Sequence, residues 1–242
     1  MMWGRLKSSV MADMKIISHD GMLLLLSLTP LLLIILIRLI FPLISGIIFA
    51  RSGFLIDRYY SLTAITFVSI IPMLFGMVYA FIFLDENDLS VVPEQNVRPA
   101  NRSNLSLRII VTVALSFIMV LLSILIANPV PGEGWLRTVF VNFLLSIQSP
   151  FVFFLICSLA ENRTEGLALS KIYTIFLITV PLGLLLHHPW NYLAFFSPLY
   201  WIGWTWIESS PVESLEYGII AMLITAVAVF IFFRHFLKKH RD

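Results

Sequence analysis

The sequence predicts an all-α, polytopic membrane protein, and three observations carry that prediction. Of 242 residues, 59% are hydrophobic and 12% charged, and the mean hydropathy is +0.94; one soluble core could not hide that much apolar surface. The apolar residues come in blocks of about 20 or more, the length a helix needs at about 1.5 Å per residue to cross roughly 30 Å of hydrocarbon. Such blocks indicate helices, because a spanning barrel would show short alternating segments. The polar residues gather between the blocks. The most charged stretch, 85–108, lies between two of them, and the chain around it reads as hydrophobic hairpins. Asp85, Glu86 and Asp88 follow directly on Phe83-Leu84, so the chain leaves the hydrocarbon at about Leu84.

Residues 5–20 place Leu6, Val10, Met14 and Ile17 at spacings of four, four and three, with Lys7, Asp13, Lys15 and His19 elsewhere. This is an amphipathic helix, expected to lie in the membrane interface. A cleaved signal peptide fits less well, because the following apolar run is too long and no small-residue cleavage site follows it.

Six spans are expected, at about 22–50, 61–84, 105–127, 136–160, 167–186 and 211–236. Pro30, Arg38 and Pro42 interrupt the first, Pro72 the second and Pro181 the fifth, so kinks are expected there. Residues 128–134 and 161–166 read as turns. Residues 189–210 are aromatic and broken by Pro189, Pro198 and Gly203. They are too short to cross twice and read as a re-entrant or interfacial element anchored by Trp190, Tyr192, Tyr200, Trp201, Trp204 and Trp206. Ser210-Pro211-Val212-Glu213 joins a capping serine, a first-position proline and a third-position glutamate, which starts the last helix.

With six spans, both termini share a side. Twelve Lys and Arg residues fall on that side: Arg5, Lys7, Lys15, Arg98, Arg102, Arg108, Arg163, Lys171, Arg234, Lys238, Lys239 and Arg241. Arg51, Arg58 and Arg137 lie opposite. This bias places both termini in the cytoplasm, with loop 85–108, and the aromatic element outside. A formal charge of +2 gives no sign of nucleic-acid binding. Cys157 stands alone inside an apolar run and reads as a small buried hydrophobe, which excludes an intramolecular disulfide.

No P-loop, HExxH or GxSxG sequence occurs, and the middles of spans two to six hold no ionised residue. That argues against an ion-coupled carrier or a membrane protease. Arg38 lies about 24 Å beyond Met22 along a helix; it reads as snorkelling to the outer headgroups or as part of a cargo path. His187-His188 lacks a third ligand for a metal. The aromatic cluster reads as an interface belt or, with Trp201 and Trp204, as a cargo-path wall.

The second span ends in Leu84-Asp85-Glu86-Asn87-Asp88-Leu89-Ser90, with Val97-Arg98-Pro99 beyond it, and a later loop reads Asn162-Arg163-Thr164-Glu165-Gly166-Leu167-Ala168. These stretches and the topology resemble the permease subunit of an ABC-2 type ATP-binding cassette exporter, close to the bacterial multidrug or fluoroquinolone export permeases. Asn87 stands where a lysine is usual, and a glycine is missing near Leu89 and Ser90. The resemblance covers nearly the whole chain and implies one ABC-2 transmembrane domain over 1–242. It further implies that loop 85–108 docks on a separate ATPase through Asp85, Glu86, Asp88, Val97, Arg98 and Pro99, with Glu165 and Gly166 beside them. ATP and Mg²⁺ would sit on two copies of that ATPase and no cofactor on this chain. The other partners would be membrane lipids and a second permease, most simply this chain itself. The location would be the inner or plasma membrane, and the cargo a hydrophobic or amphipathic drug, peptide antibiotic or lipid. The competing reading is a lipid-modifying membrane enzyme or an assembly factor, with His187, His188 and Glu208 at its outer face.

Overall fold

A computed structural model describes residues 2–90, 102–127, 134–186 and 190–239. Eleven α-helices occur among them: α1 Met2–His19, α2 Gly21–Ile35, α3 Phe41–Ser52, α4 Tyr60–Val68, α5 Ile70–Ser90, α6 Arg102–Ala127, α7 Trp135–Ser146, α8 Gln148–Leu159, α9 Arg163–Leu185, α10 Pro198–Ile207 and α11 Pro211–Lys239. Six stretches are long and apolar enough to cross a membrane: Gly21–Ser52, Tyr60–Asn87, Leu105–Ala127, Trp135–Leu159, Arg163–Leu185 and Pro211–Lys239. The chain is a multi-pass helical membrane protein.

Prolines set the breaks. In the first span Leu36–Ile40 forms a π-helical turn in which the Phe41 N–H donates five residues back, to Leu36 O. Pro42 follows; it has no N–H for the Arg38 carbonyl and its ring crowds that carbonyl, so the turn opens. The second span breaks at Ser69, three residues before Pro72. The fourth breaks at Ile147, because Pro150 cannot donate to Ser146 O. The Ser149 hydroxyl takes that carbonyl instead, at 2.8 Å. Pro30 and Pro181 are carried inside continuous helices.

The second and fourth spans form the centre. In their apolar stretches 83% and 72% of the residues are buried, against 17% in the first and sixth. Gly76 lets α5 and α8 touch at backbone distance: a Cβ there would lie 2.7 Å from Ser149 O and from Val152 Cβ. Phe153 meets Phe83 edge-on at 5.9 Å, and Phe154 meets Phe233 at 5.2 Å. Neutral polar groups join helices inside the bundle, as where Gln148 Nε2 donates to Thr225 Oγ1 at 2.7 Å. Cys157 is fully buried.

Three sequence expectations change. Stretch 85–108 is not all loop: α5 continues to Ser90 and α6 begins at Arg102, because a helix need not end where it leaves the hydrocarbon. Stretch 161–166 is mostly the first turn of α9, which starts at Arg163 with Asn162 as its cap. In α1, Met14 is exposed while Asp13, expected on the polar side, is buried. The face turned to the bundle therefore holds Asp13, which meets a cation, with half-buried Val10 and Ile17 beside it, and Met14 points away.

Candidate functional site

The helix ends fall into two groups. At one end lie the starts of α2, α6 and α9 with the last turns of α5 and α11; the other holds the starts of α4, α7 and α11 with α10.

The first end is ionic. Asp85 and Glu86 are chain neighbours, about 100° apart around the helix, and they serve different arginines. Glu86 takes Arg108 with both oxygens, Nη1 to Oε2 at 2.7 Å and Nη2 to Oε1 at 2.6 Å. Arg108 Nη2 also donates to Asp13 Oδ1 at 2.8 Å. Asp85 pairs with Arg163 at 2.9 Å, and Arg163 Nη1 reaches Asp20 Oδ2 at 2.7 Å. The end of α5 is therefore the hub of two carboxylate–arginine–carboxylate sets that hold α1, α2, α6 and α9 to it.

The two sets differ in burial. The Asp13 and Arg108 side chains are 3% and 7% exposed, whereas Asp20 and Arg163 are 28% and 25% exposed. Burial pushes the Asp13 carboxyl above the usual carboxylate range, against the pull of Arg108. Asp20 goes the other way. Its Oδ1 accepts the Met22 and Leu23 N–H groups at 2.9 and 3.0 Å, capping α2. The Leu23 hydrogen bond, with Arg163 behind it, holds the carboxyl below its usual range. Glu165 is committed locally: its N–H donates to Asn162 Oδ1 at 2.9 Å, and its Oε2 accepts the Glu161 N–H at 2.8 Å. Gly166 is buried; a Cβ there would sit 2.8 Å from the Phe81 ring, so it seats α9 on α5 and has no outward face. Arg163 lies 5.8 Å from the same ring.

The opposite end is chiefly aromatic. Thr205 and Trp206 in the last turn of α10 are buried, so their carbonyls need donors. Arg137 supplies Nε to Thr205 O at 3.0 Å and Nη2 to Trp206 O at 2.7 Å, and the Ser214 hydroxyl also reaches Thr205 O, at 2.8 Å. Trp206 Nε1 donates to Ser61 Oγ at 2.9 Å, and the Tyr60 hydroxyl to Ala127 O at 2.6 Å. Tyr200 and Trp206 are buried in protein, so only part of the expected aromatic belt is free for headgroups. Trp201 and Trp204, taken as a cargo-path wall, stack against Tyr217 at 5.8 and 6.0 Å.

The other expected residues are placed less centrally. Arg38 is exposed on the outward side of the first span. Asp88 is within α5, and its side chain, with Val97, Arg98, Pro99, His187 and His188, lies outside the described residues. Glu208 Oε1 accepts the Ser209 and Ser210 N–H groups at 2.8 and 3.2 Å. The Ser210 bond holds that carboxyl below its usual range, which suits a turn cap and not an acid catalyst. Among the described residues no three His, Cys, Asp or Glu side chains are placed to hold a metal.

Sequence reasoning missed Asp13, Asp20, Arg108, Arg137 and Arg163 as site residues. Span parity places the first three and Arg163 on the same side as Asp85 and Glu86, and that was the available signal.

This is the architecture of a helical membrane permease, a six-span bundle with two carboxylate–arginine–carboxylate sets at one end. The chain belongs to the family described as fluoroquinolones export permease protein Rv2686c-like, whose model matches residues 13–233. It is 23% identical over 231 residues to the fluoroquinolones export permease proteins MT2760 and Rv2686c of Mycobacterium tuberculosis (strains CDC 1551 / Oshkosh and ATCC 25618 / H37Rv), covering 92% of this chain and 90% of each relative. No solved structure matches the chain.

Proposed function

We propose that this chain is the membrane subunit of an ATP-driven exporter of the ABC-2 type, with two ATPase subunits docking at the ionic end. Two permeases, most simply two copies of this chain, would enclose the pathway. The observation that carries the reading is the hub at Asp85 and Glu86. A partner that moves the segment beyond Ser90 would move the starts of α2, α6 and α9 and the helix α1 with it. In this reading Asp88, Val97, Arg98 and Pro99 make the contact, Asp85 and Glu86 pass the movement on, and the Glu165 turn lies alongside, seated by Gly166. The excess of Lys and Arg at this end supports a cytoplasmic position for it and for both termini. ATP and Mg²⁺ belong to the ATPase.

The cargo class is a hydrophobic or amphipathic drug, peptide antibiotic or lipid, in keeping with the relatives' names. A groove of about 290 Å³ between α4 and α9, walled by Tyr59, Leu62, Phe67 and Leu185 with the hydroxyls of Thr63 and Thr66, lies toward the aromatic end and offers an apolar way out with two hydrogen-bonding groups. The test is purification of the tagged chain from native membranes in several mild detergents. A P-loop ATPase in equal amount is the expected result, and a chain that purifies alone in all of them overturns the reading.

A further inference from the structure

The end of α11 carries basic side chains that the two ionic sets leave out. A groove of about 740 Å³ runs along α11 beside the end of α8. Its lower wall is Phe230 and Ile231, exposed apolar side chains, and its upper wall is Arg234, His235 and Lys238, with Leu159 at the level where Lys239 reaches Ala160. Helix α11 has 29 residues, about 43 Å at 1.5 Å per residue, and exceeds the roughly 30 Å hydrocarbon layer. The excess is shared with the acidic start at Glu213 and Glu216, so about the last turn, with Lys238, stands in the headgroup layer, and Arg234 snorkels up to it while Phe230 and Ile231 lie among acyl chains.

Two contacts shape the groove. Lys239 Nζ donates to Ala160 O, which ties the end of α11 to the end of α8. The Arg234 guanidinium lies 5.3 Å from the Phe230 ring, laid along the apolar wall. Among the described residues no carboxylate pairs with Arg234, His235 or Lys238.

We propose that this groove holds one anionic phospholipid, its phosphate on Arg234 and Lys238 and an acyl chain along Phe230 and Ile231. The polarity changes along the groove where a phospholipid's does, and unpaired basic groups at headgroup depth attract anionic lipid. A second copy of the chain fits worse, because a two-fold contact here would set the same basic side chains against each other. The groove beside Lys15 and His19 on α1 contains Asp20, so it lacks the same excess of positive charge.

The test is native mass spectrometry of the full-length chain in detergent, titrated with phosphatidylglycerol, with phosphatidylcholine of the same acyl chains, and with inorganic phosphate. One retained phosphatidylglycerol is expected, with phosphatidylcholine lost and phosphate not bound. Replacing Arg234→Gln and Lys238→Gln together should weaken retention roughly thirty-fold, the loss of two membrane-surface cations. Equal retention of phosphatidylcholine, binding of phosphate alone, or undiminished phosphatidylglycerol in the double variant each overturns the proposal. So does a dimer that the double variant abolishes while lipid retention is unchanged. Should the double variant fail to fold, Ile231→Trp fills the apolar wall and leaves the charges; lipid retention must then fall, and unchanged retention overturns the proposal.

Discussion

The two ends of the bundle solve the same problem with different chemistry. Both must join helix ends where the apolar interior stops. The ionic end uses full charges, each arginine shared by two carboxylates, while the aromatic end satisfies carbonyls with one arginine and hydroxyls and packs rings against one another. A hydrogen bond to a carbonyl is lost singly. An arginine removed from a shared set leaves two carboxylates facing each other, so the ionic end is the more fragile and the better suited to movement.

Arg108→Ala should show the largest effect, a loss of about 3–5 kcal/mol from the buried Asp13 carboxyl left uncompensated beside Glu86, read as loss of the folded peak in detergent thermal unfolding. Replacing the whole set, Arg108→Met with Asp13→Asn and Glu86→Gln, should restore most of that stability; failure to restore it would mean that the fragility does not come from charge. Arg137→Ala at the aromatic end should cost less, about 2–3 kcal/mol for hydrogen bonds from a charged donor. A loss as great as that of Arg108→Ala would erase the contrast.

Each end also has a glycine under a ring, and these sharpen the comparison. A Cβ on Gly183 would meet Tyr200 at 2.1 Å, whereas one on Gly166 meets Phe81 at 2.8 Å. Gly183→Ala should therefore destabilise more than Gly166→Ala, both within about 1–3 kcal/mol, and Tyr200→Leu should relieve the first. The smallest effect is with pH. Asp13, held above its usual range, makes the fold less stable as pH rises through its raised value. Asp20, held below, adds stability above its ordinary value that is lost as pH falls through the lowered one. Asp13→Asn should flatten the melting temperature on the first limb and Asp20→Asn on the second, while Arg137→Ala leaves both limbs in place.

The all-helical, six-span plan was legible because span length against membrane thickness is a strong signal. Which spans lie at the centre was not. Lipid and protein interior are equally apolar, so the second and fourth spans read like the first and sixth although they are four to five times more buried. The Asn162-to-Glu165 spacing did announce a helix start, yet turn-forming residue types hid it. The pairing of Asp85 with Arg163 and of Glu86 with Arg108 was hidden for another reason: sequence spacing carries no information about contacts made across a bundle. Asp13 lies three residues after Val10 and four before Ile17, on the inward face of α1, and its partner Arg108 could not be read from α1 alone.

The shared arginines also impose an order on biogenesis. Asp20 meets Arg163 across 143 residues and Asp13 meets Arg108 across 95. At synthesis rates of 5–20 residues per second, Asp20 waits roughly 7–30 s for its partner. The first hairpin must therefore remain in the membrane with unmatched carboxylates until the fifth span arrives, and a chain truncated before Arg163 would present to quality-control proteases an end that cannot close.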